Sequence, residues 1–152
     1  MSENLHNGNS EDVVSWAREL LDEAVQEMMR RGVVTDALVE AKPVWALPYE
    51  IMIGRIRDSY AQTSSIWVIT GDVPTDYVGM DVASTPREAA RHFTLKWQLD
   101  AARYKDPAVQ KELGAELKDS WDELGEQLAR TAEALFSVVE DDKLWQESGP
   151  AP

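Results

Sequence analysis

One stretch decides the fold of this chain: residues 67–79, which read WVITGDVPTDYVG. With Ser65 and Ile66 before it, the first half forms a nearly continuous apolar run, as expected of a central strand that is covered on both faces. The second half has a proline between two aspartates and ends at a glycine, which is typical of a tight turn leading into a return strand near residues 77–82. The stretch therefore predicts a buried strand with an antiparallel neighbour.

Two further strands are predicted upstream of this stretch. Residues 44–47 lie between Pro43 and Pro48, and residues 49–58 are rich in isoleucine and tyrosine; both segments have the composition of strands. The polar residues 59–64 then supply the turn into the central strand. Together these segments predict a small antiparallel sheet of three or four strands.

The helices that precede and follow the strands in the sequence are recognised by capping signals at their ends. A helix is predicted over about residues 11–31, because its apolar residues follow a three-and-four spacing and Gly32 is suited to end it. After the sheet, residues 85–88 (TPRE) place a threonine cap before a first-turn proline and a glutamate, which is a capping box. A second helix is therefore predicted to begin at residue 86 and to run to about Tyr104.

The last helical segment is predicted from Pro107 to about Asp142. The Asp106-Pro107 pair is a second cap-and-proline signal, and a bend or break is expected at Gly114 or Gly125. Apolar residues recur along the segment in a heptad-like pattern, which predicts one packed face. These residues are Leu113, Leu117, Trp121, Leu124, Leu128, Leu135 and Val138.

The order of these elements predicts an α+β fold, in which a small antiparallel sheet of three or four strands packs against an N-terminal helix and two long C-terminal helices. A length of 152 residues suits one domain with its own core. We therefore expect a single domain over residues 10–145, with a disordered lead over residues 1–9 and a disordered tail over residues 146–152.

Composition limits the functional classes. The formal net charge is −13, which repels phosphates and anionic lipid and argues against nucleic acid or membrane as a partner. Cysteine is absent, no apolar run reaches the length of about 18 residues that a membrane span needs, and the start lacks the pattern of a signal peptide. We therefore expect a cytoplasmic protein, either a monomer or a homodimer.

The acidic residues are concentrated in two segments. Residues 1–31 carry seven acids and three bases, and residues 105–143 carry eleven acids and five bases. Such runs are usually solvated helix faces that aid solubility. The alternative is that they attract a basic protein partner.

Two carboxylates and one histidine are the candidates for chemistry. Asp72 and Asp76 belong to the turn after the central strand, where a structural role predicts that each accepts hydrogen bonds from nearby backbone amides. The alternative is a small metal-dependent hydrolase, in which the pair binds a cation or shares a proton and His92 is a further catalytic candidate. Because known metal, phosphate-loop and dinucleotide motifs are absent, we assign no metal ligands and no cofactor.

Basic residues cluster on the helix that follows the sheet. Arg87, Arg91 and Lys96 make it the most basic element of the chain, and ion pairs with the acidic terminal helices are the default explanation. The alternative is a small-anion-binding or partner-binding face, which Arg55 and Arg57 extend from an earlier strand.

Three segments resemble a known family: WVITGDVPTDY at residues 67–77, AARHFTLKWQ at residues 89–98 and DKLW at residues 142–145. The family consists of short bacterial proteins classed only as a domain of unknown function, and the resemblance covers most of the chain. It implies a stand-alone bacterial cytoplasmic protein and brings no catalytic residues. Since the sequence also lacks a complete catalytic pattern, we expect a non-enzymatic protein-binding or accessory module.

Overall fold

The computed structural model describes residues 2–35, 39–58 and 65–146, with side chains from residue 11 onward except those of Asp58 and Ala115. Its helices and its four-stranded antiparallel sheet confirm the predicted α+β class. The chain divides into two compact units, Met1–Pro86 and Arg87–Pro152; the single domain expected over residues 10–145 stays a prediction. The elements are α1 (Ser2–Arg30), β1 (Val39–Leu47), β2 (Ile51–Asp58), β3 (Ile66–Gly71), β4 (Asp76–Gly79), α2 (Pro86–Tyr104), α3 (Pro107–Gly114) and α4 (Lys118–Glu140).

In the first unit, the strands pair in chain order, β1-β2-β3-β4, and every pair is antiparallel. Strand β3 has a partner on both sides and its residues 67–70 are all buried, which confirms the central strand. One stripe of α1 packs on the sheet, because three-and-four spacing brings its apolar residues to one side. The core formed in this way contains Ala17, Leu21, Ala24, Met28, Met52, Ile56 and Val68.

Strand β1 begins at Val39, whereas the sequence predicts a strand over residues 44–47 only. A proline at position 43 argues against a strand that extends further toward the N-terminus, since proline cannot donate to a strand ladder. In the structure Pro43 lies on an edge strand, where a missing donor is tolerated, and the register with β2 shifts between Pro43 and Trp45. The longer strand places Glu40 and Lys42 opposite Arg57 and Arg55.

The turn from β1 to β2 contains Tyr49, which the sequence assigns to a strand. Tyr49 has a φ of 63° and the Glu50 amide donates to the Leu47 carbonyl over 2.9 Å. A left-handed residue after a proline is the arrangement of a type II turn, which usually requires glycine. The Tyr49 ring lies 5.6 Å from the Trp16 ring, and this aromatic contact offsets part of the backbone strain.

Helix α1 begins at Ser2, not near Glu11, so it also covers residues assigned to a disordered lead. Residues 2–10 contain no proline, and extending a formed helix requires no new nucleation. Its end agrees with the prediction: Gly32 has a φ of 75°, and the Val33 amide donates to the Met28 carbonyl over 2.9 Å. The tail is predicted to be disordered over residues 146–152, and residues 147–152 lie outside the described part of the chain.

The second unit is built on an antiparallel pair of helices, α2 and α4. At one end, Arg87 Nε donates to the Val139 carbonyl over 2.9 Å. At the other end, α2 passes so close to Gly125 that a Cβ there would lie 2.9 Å from the Ala101 carbonyl oxygen. The chain therefore breaks at Gly114, whose φ is 127°, and not at Gly125, which α4 needs for close packing.

Three leucines of the heptad-like pattern are not packed as predicted. Leu113, Leu117 and Leu124 are 45%, 47% and 41% exposed. The stripe that α4 buries keeps Leu135 from the predicted pattern, whereas its other members are displaced around the helix and include small residues that allow the two helix backbones to approach. It contains Gly125, Ala132, Leu135 and Val139.

None of the helices that the structure describes contains an apolar window long enough to cross a lipid bilayer.

Candidate functional site

The turn between β3 and β4 is fixed mainly by its backbone. Gly71 has a φ of 124°, and the Asp72 amide donates to the Glu50 carbonyl over 2.7 Å. The hydroxyl oxygens of Thr70 and Thr75 lie 2.7 Å apart in a hydrogen bond across the turn. These contacts attach the turn to the neighbouring β1–β2 hairpin and hold both ends of the stretch that carries the two aspartates.

Asp72 and Asp76 occupy different environments within this turn. Asp76 is 8% exposed, and its Oδ1 accepts from the Tyr77 amide over 2.8 Å, so the predicted bond to a nearby amide is present. Asp72 is exposed, and its carboxylate forms no hydrogen bond with any residue that the structure describes, contrary to the expectation that it caps the turn. Asp76 is thus a structural acceptor, whereas Asp72 faces solvent.

Substituting these residues separates the structural role from the metal-binding alternative. Asp76→Ala is expected to lower the free energy of unfolding by about 1–3 kcal/mol, because the partly buried Tyr77 amide loses its acceptor. Asp72→Ala is expected to change it by less than about 0.5 kcal/mol, as for most exposed sites. Thermal melts with EDTA and with millimolar Mg²⁺ or Mn²⁺ are the measurement. A metal-induced rise in the wild type that either Asp→Asn variant abolishes would contradict the structural role.

His92 lies in the second unit, on α2, and its ring is edge-on to that of Phe93 at 6.2 Å. It lines an open groove of about 420 Å³ together with Arg91, Leu95 and Phe136. Leu95 and Phe136 are 57% and 48% exposed, so the surface around His92 is largely apolar. Within the described residues, no group of three or more His, Cys, Asp or Glu side chains is arranged to hold a metal ion.

Arg87 and Arg91 of α2 have partners inside the second unit. Arg87 donates through Nη2 to Asp142 over 2.6 Å, in addition to its bond with the Val139 carbonyl, and lies over the Trp145 ring. Arg91 approaches Glu140 to 3.9 Å, and Lys96 is half-buried and also has a partner. Arg87 therefore joins α2 to the end of α4, which is the ion-pair role that the sequence suggests as the default.

Lys42 belongs to a basic cluster with Arg55 and Arg57, and the sequence alone predicts no role for Lys42. It lines a concave surface of about 370 Å³ at one end of the sheet, together with Arg55 and Arg57 and with Glu40 and Ser65. The signal in the sequence is the alternation of apolar and charged residues from Val39 to Lys42, which is typical of a strand with one charged face. Because Pro43 follows directly, this alternation alone does not predict a strand.

Exposed leucines and exposed carboxylates occur together along residues 112–126, around the break at Gly114, and we name this set of residues the acidic leucine surface. No carboxylate of this set forms an ion pair with another residue in the described ranges. Asp122 nearby is different, because the Lys118 ammonium and then the Gln110 amide hydrogen-bond to it and lower its pKa from the ordinary value. The surface consists of Leu113, Leu117 and Leu124 with Glu112, Glu116, Glu123 and Glu126.

Comparison with known protein families identifies the family of this chain. A family model described as "Domain of unknown function (DUF4826)" matches residues 11–145. Searches of curated proteins and of solved structures find no match. Because the family model spans both units and most of the chain, the protein belongs to this family, the domain of unknown function DUF4826.

Proposed function

We propose that this protein is a non-enzymatic binding module that acts through protein contacts, and that its partner is basic. The observation that carries the proposal is the acidic leucine surface, where exposed apolar side chains lie among carboxylates without ion pairs. Apolar patches rimmed by polar residues are typical of protein interaction sites. The surface thus offers both an anchor and a charge for a partner to recognise.

The leucines supply the apolar part of the contact. Leu113 lies in the last turn of α3, Leu117 directly precedes α4 and Leu124 lies in its second turn, so the break at Gly114 separates Leu113 from the other two. Burying a leucine side chain gains about 1.5–3 kcal/mol, and three such side chains make a substantial anchor. A partner helix with one apolar face, laid across these leucines, would use the helix-in-groove mode of recognition.

The carboxylates supply the electrostatic part. Glu112, Glu116, Glu123 and Glu126 are exposed, and the whole chain carries a net charge of −13. Charges at the rim of an interface act mainly on the association rate and on partner choice. Lysine and arginine on the polar side of the partner helix would therefore be attracted before the leucines are buried.

The test uses a synthetic amphipathic peptide of leucine and lysine, with binding followed by fluorescence anisotropy at 0.1 M and 1 M NaCl. Affinity for the wild type is expected to fall about tenfold or more at high salt, where the Debye length shrinks from about 10 Å to about 3 Å. The double variant Glu116→Gln/Glu123→Gln should bind more weakly at low salt, and Leu117→Ser/Leu124→Ser should bind weakly at both.

The matched control is Glu19→Gln/Glu23→Gln, which removes the same charge from exposed positions on α1. It should bind like the wild type if recognition depends on the acidic leucine surface. Equal weakening by the α1 variant would show that only net charge matters, and salt-independent binding by all variants would overturn electrostatic recruitment.

The hydrolase alternative has less support. Asp76 already uses its carboxylate inside the turn, and only Asp72 faces solvent; the metal melts above test this alternative directly. Our proposal includes a cytoplasmic location, since a chain without cysteine suits a reducing compartment.

A further inference from the structure

Like charges face each other at one end of the sheet in the first unit. Lys42 on β1 lies directly opposite Arg55 on β2, next to the pair formed by Glu40 and Arg57. Directly opposed like charges destabilise an antiparallel pair of strands. Arg57 has Glu40 at 3.9 Å, whereas Lys42 and Arg55 form no ion pair with any side chain that the structure describes. Among the described side chains, this positive pair therefore has no carboxylate bound to it.

Lys42 and Arg55 both line one concave surface, so a single ligand could contact both side chains. Arg55 is half-buried, and the concavity of about 370 Å³ is also lined by Ser65 and by Glu40, whose carboxylate lies 3.9 Å from Arg57. An arginine guanidinium donates in a planar fork that matches phosphate oxygens, lysine adds a compact charge, and a serine hydroxyl adds a neutral donor. The donors present are those that recognise a phosphate group.

We propose that this concavity binds a small phosphate-bearing molecule, with Lys42 and Arg55 contacting the phosphate oxygens and Ser65 as an additional donor. A dianion between Lys42 and Arg55 would offset the repulsion between their charges. The volume lies in the range of small-molecule sites, and the net charge of −13 disfavours nucleic acid at long range. This site lies on the sheet of the first unit and does not depend on the acidic leucine surface.

The experiment is a thermal melt of the full chain with inorganic phosphate or pyrophosphate, each compared with NaCl at the same ionic strength. The midpoint is expected to rise by about 3–6 °C at a tenfold excess over the dissociation constant. Lys42→Gln and Arg55→Gln should abolish the rise, and Arg18→Gln, which removes an exposed charge from α1, should retain it.

Thermal melts of Lys42→Gln and Arg55→Gln without ligand are the control for correct folding. Removing one charge of the opposed pair should leave the thermal midpoint without ligand, at low salt, equal to or above that of the wild type. A variant that keeps this midpoint but shows no rise with phosphate is therefore folded and has lost only the binding. No rise in the wild type, or an equal rise in Lys42→Gln and Arg55→Gln, would overturn the proposal. Binding only to a single-stranded oligonucleotide, or only to vesicles that contain phosphatidic acid, would overturn the assignment to a small molecule.

Discussion

Replacing Trp67 with alanine is expected to lower the free energy of unfolding by about 3–5 kcal/mol, as for other large buried aromatic residues. Trp67 is 3% exposed, and its indole Nε1 donates to the Ala83 carbonyl over 2.8 Å. The substitution leaves a cavity in the central strand and also removes the partner of a buried carbonyl. Since domains of this kind are stable by about 5–15 kcal/mol in total, much of the stability would be lost.

Urea denaturation followed by circular dichroism measures this effect. Trp67→Phe is the informative control, because it keeps most of the ring volume but cannot donate to Ala83, and it should cost about 1–3 kcal/mol. A Trp67→Ala midpoint close to that of the wild type would show that β3 is not part of the cooperative core.

Gly71→Ala is expected to be nearly as damaging. Gly71 has a φ of 124°, and a Cβ at this position would lie 2.3 Å from the Glu50 carbonyl oxygen. Both terms are unfavourable: the backbone conformation costs about 1–3 kcal/mol in a residue with a side chain, and overpacking against a fixed main chain costs a similar amount. We expect a total of roughly 2–6 kcal/mol, because the obstacle is backbone and cannot rotate away.

The comparison that isolates the clash is Gly32→Ala. Gly32 also has a positive φ, 75°, but a Cβ there would meet nothing within 4 Å. This variant should cost only about 1 kcal/mol, measured in the same urea titrations. If both glycine variants lost the same amount of stability, the close approach of the Gly71 turn to Glu50 would not be a determinant of the fold.

Local signals in the sequence predicted the elements well. The apolar run at residues 66–70 gave the central strand, and the Thr85-Pro86 signal gave the start of α2. Gly32 and Gly114 both ended helices, because each takes a positive φ that other residues avoid. These features depend on a few neighbouring residues, so a single sequence contains the information that determines them.

Pairings over long sequence distances were not predictable in the same way. Arg87 bonds to Val139 across 52 residues, and the facing of Lys42 and Arg55 depends on a register that shifts at Pro43. A heptad pattern shows that α4 has an apolar face, but it does not show that α2 packs on smaller residues beside it. Leu117 and Leu124 are therefore exposed, and this exposure is what suggests a binding function.

The order of the strands has a consequence for how the first unit folds. Each strand pairs with its neighbour in the chain, in the order β1-β2-β3-β4. The sheet is therefore able to form one hairpin after another, and each step closes a short loop at a small cost in chain entropy. The docking of α1 on the sheet joins more distant parts of the unit. Such a topology has a lower contact order than sheets with crossing connections, and we expect it to fold faster than they do at equal stability.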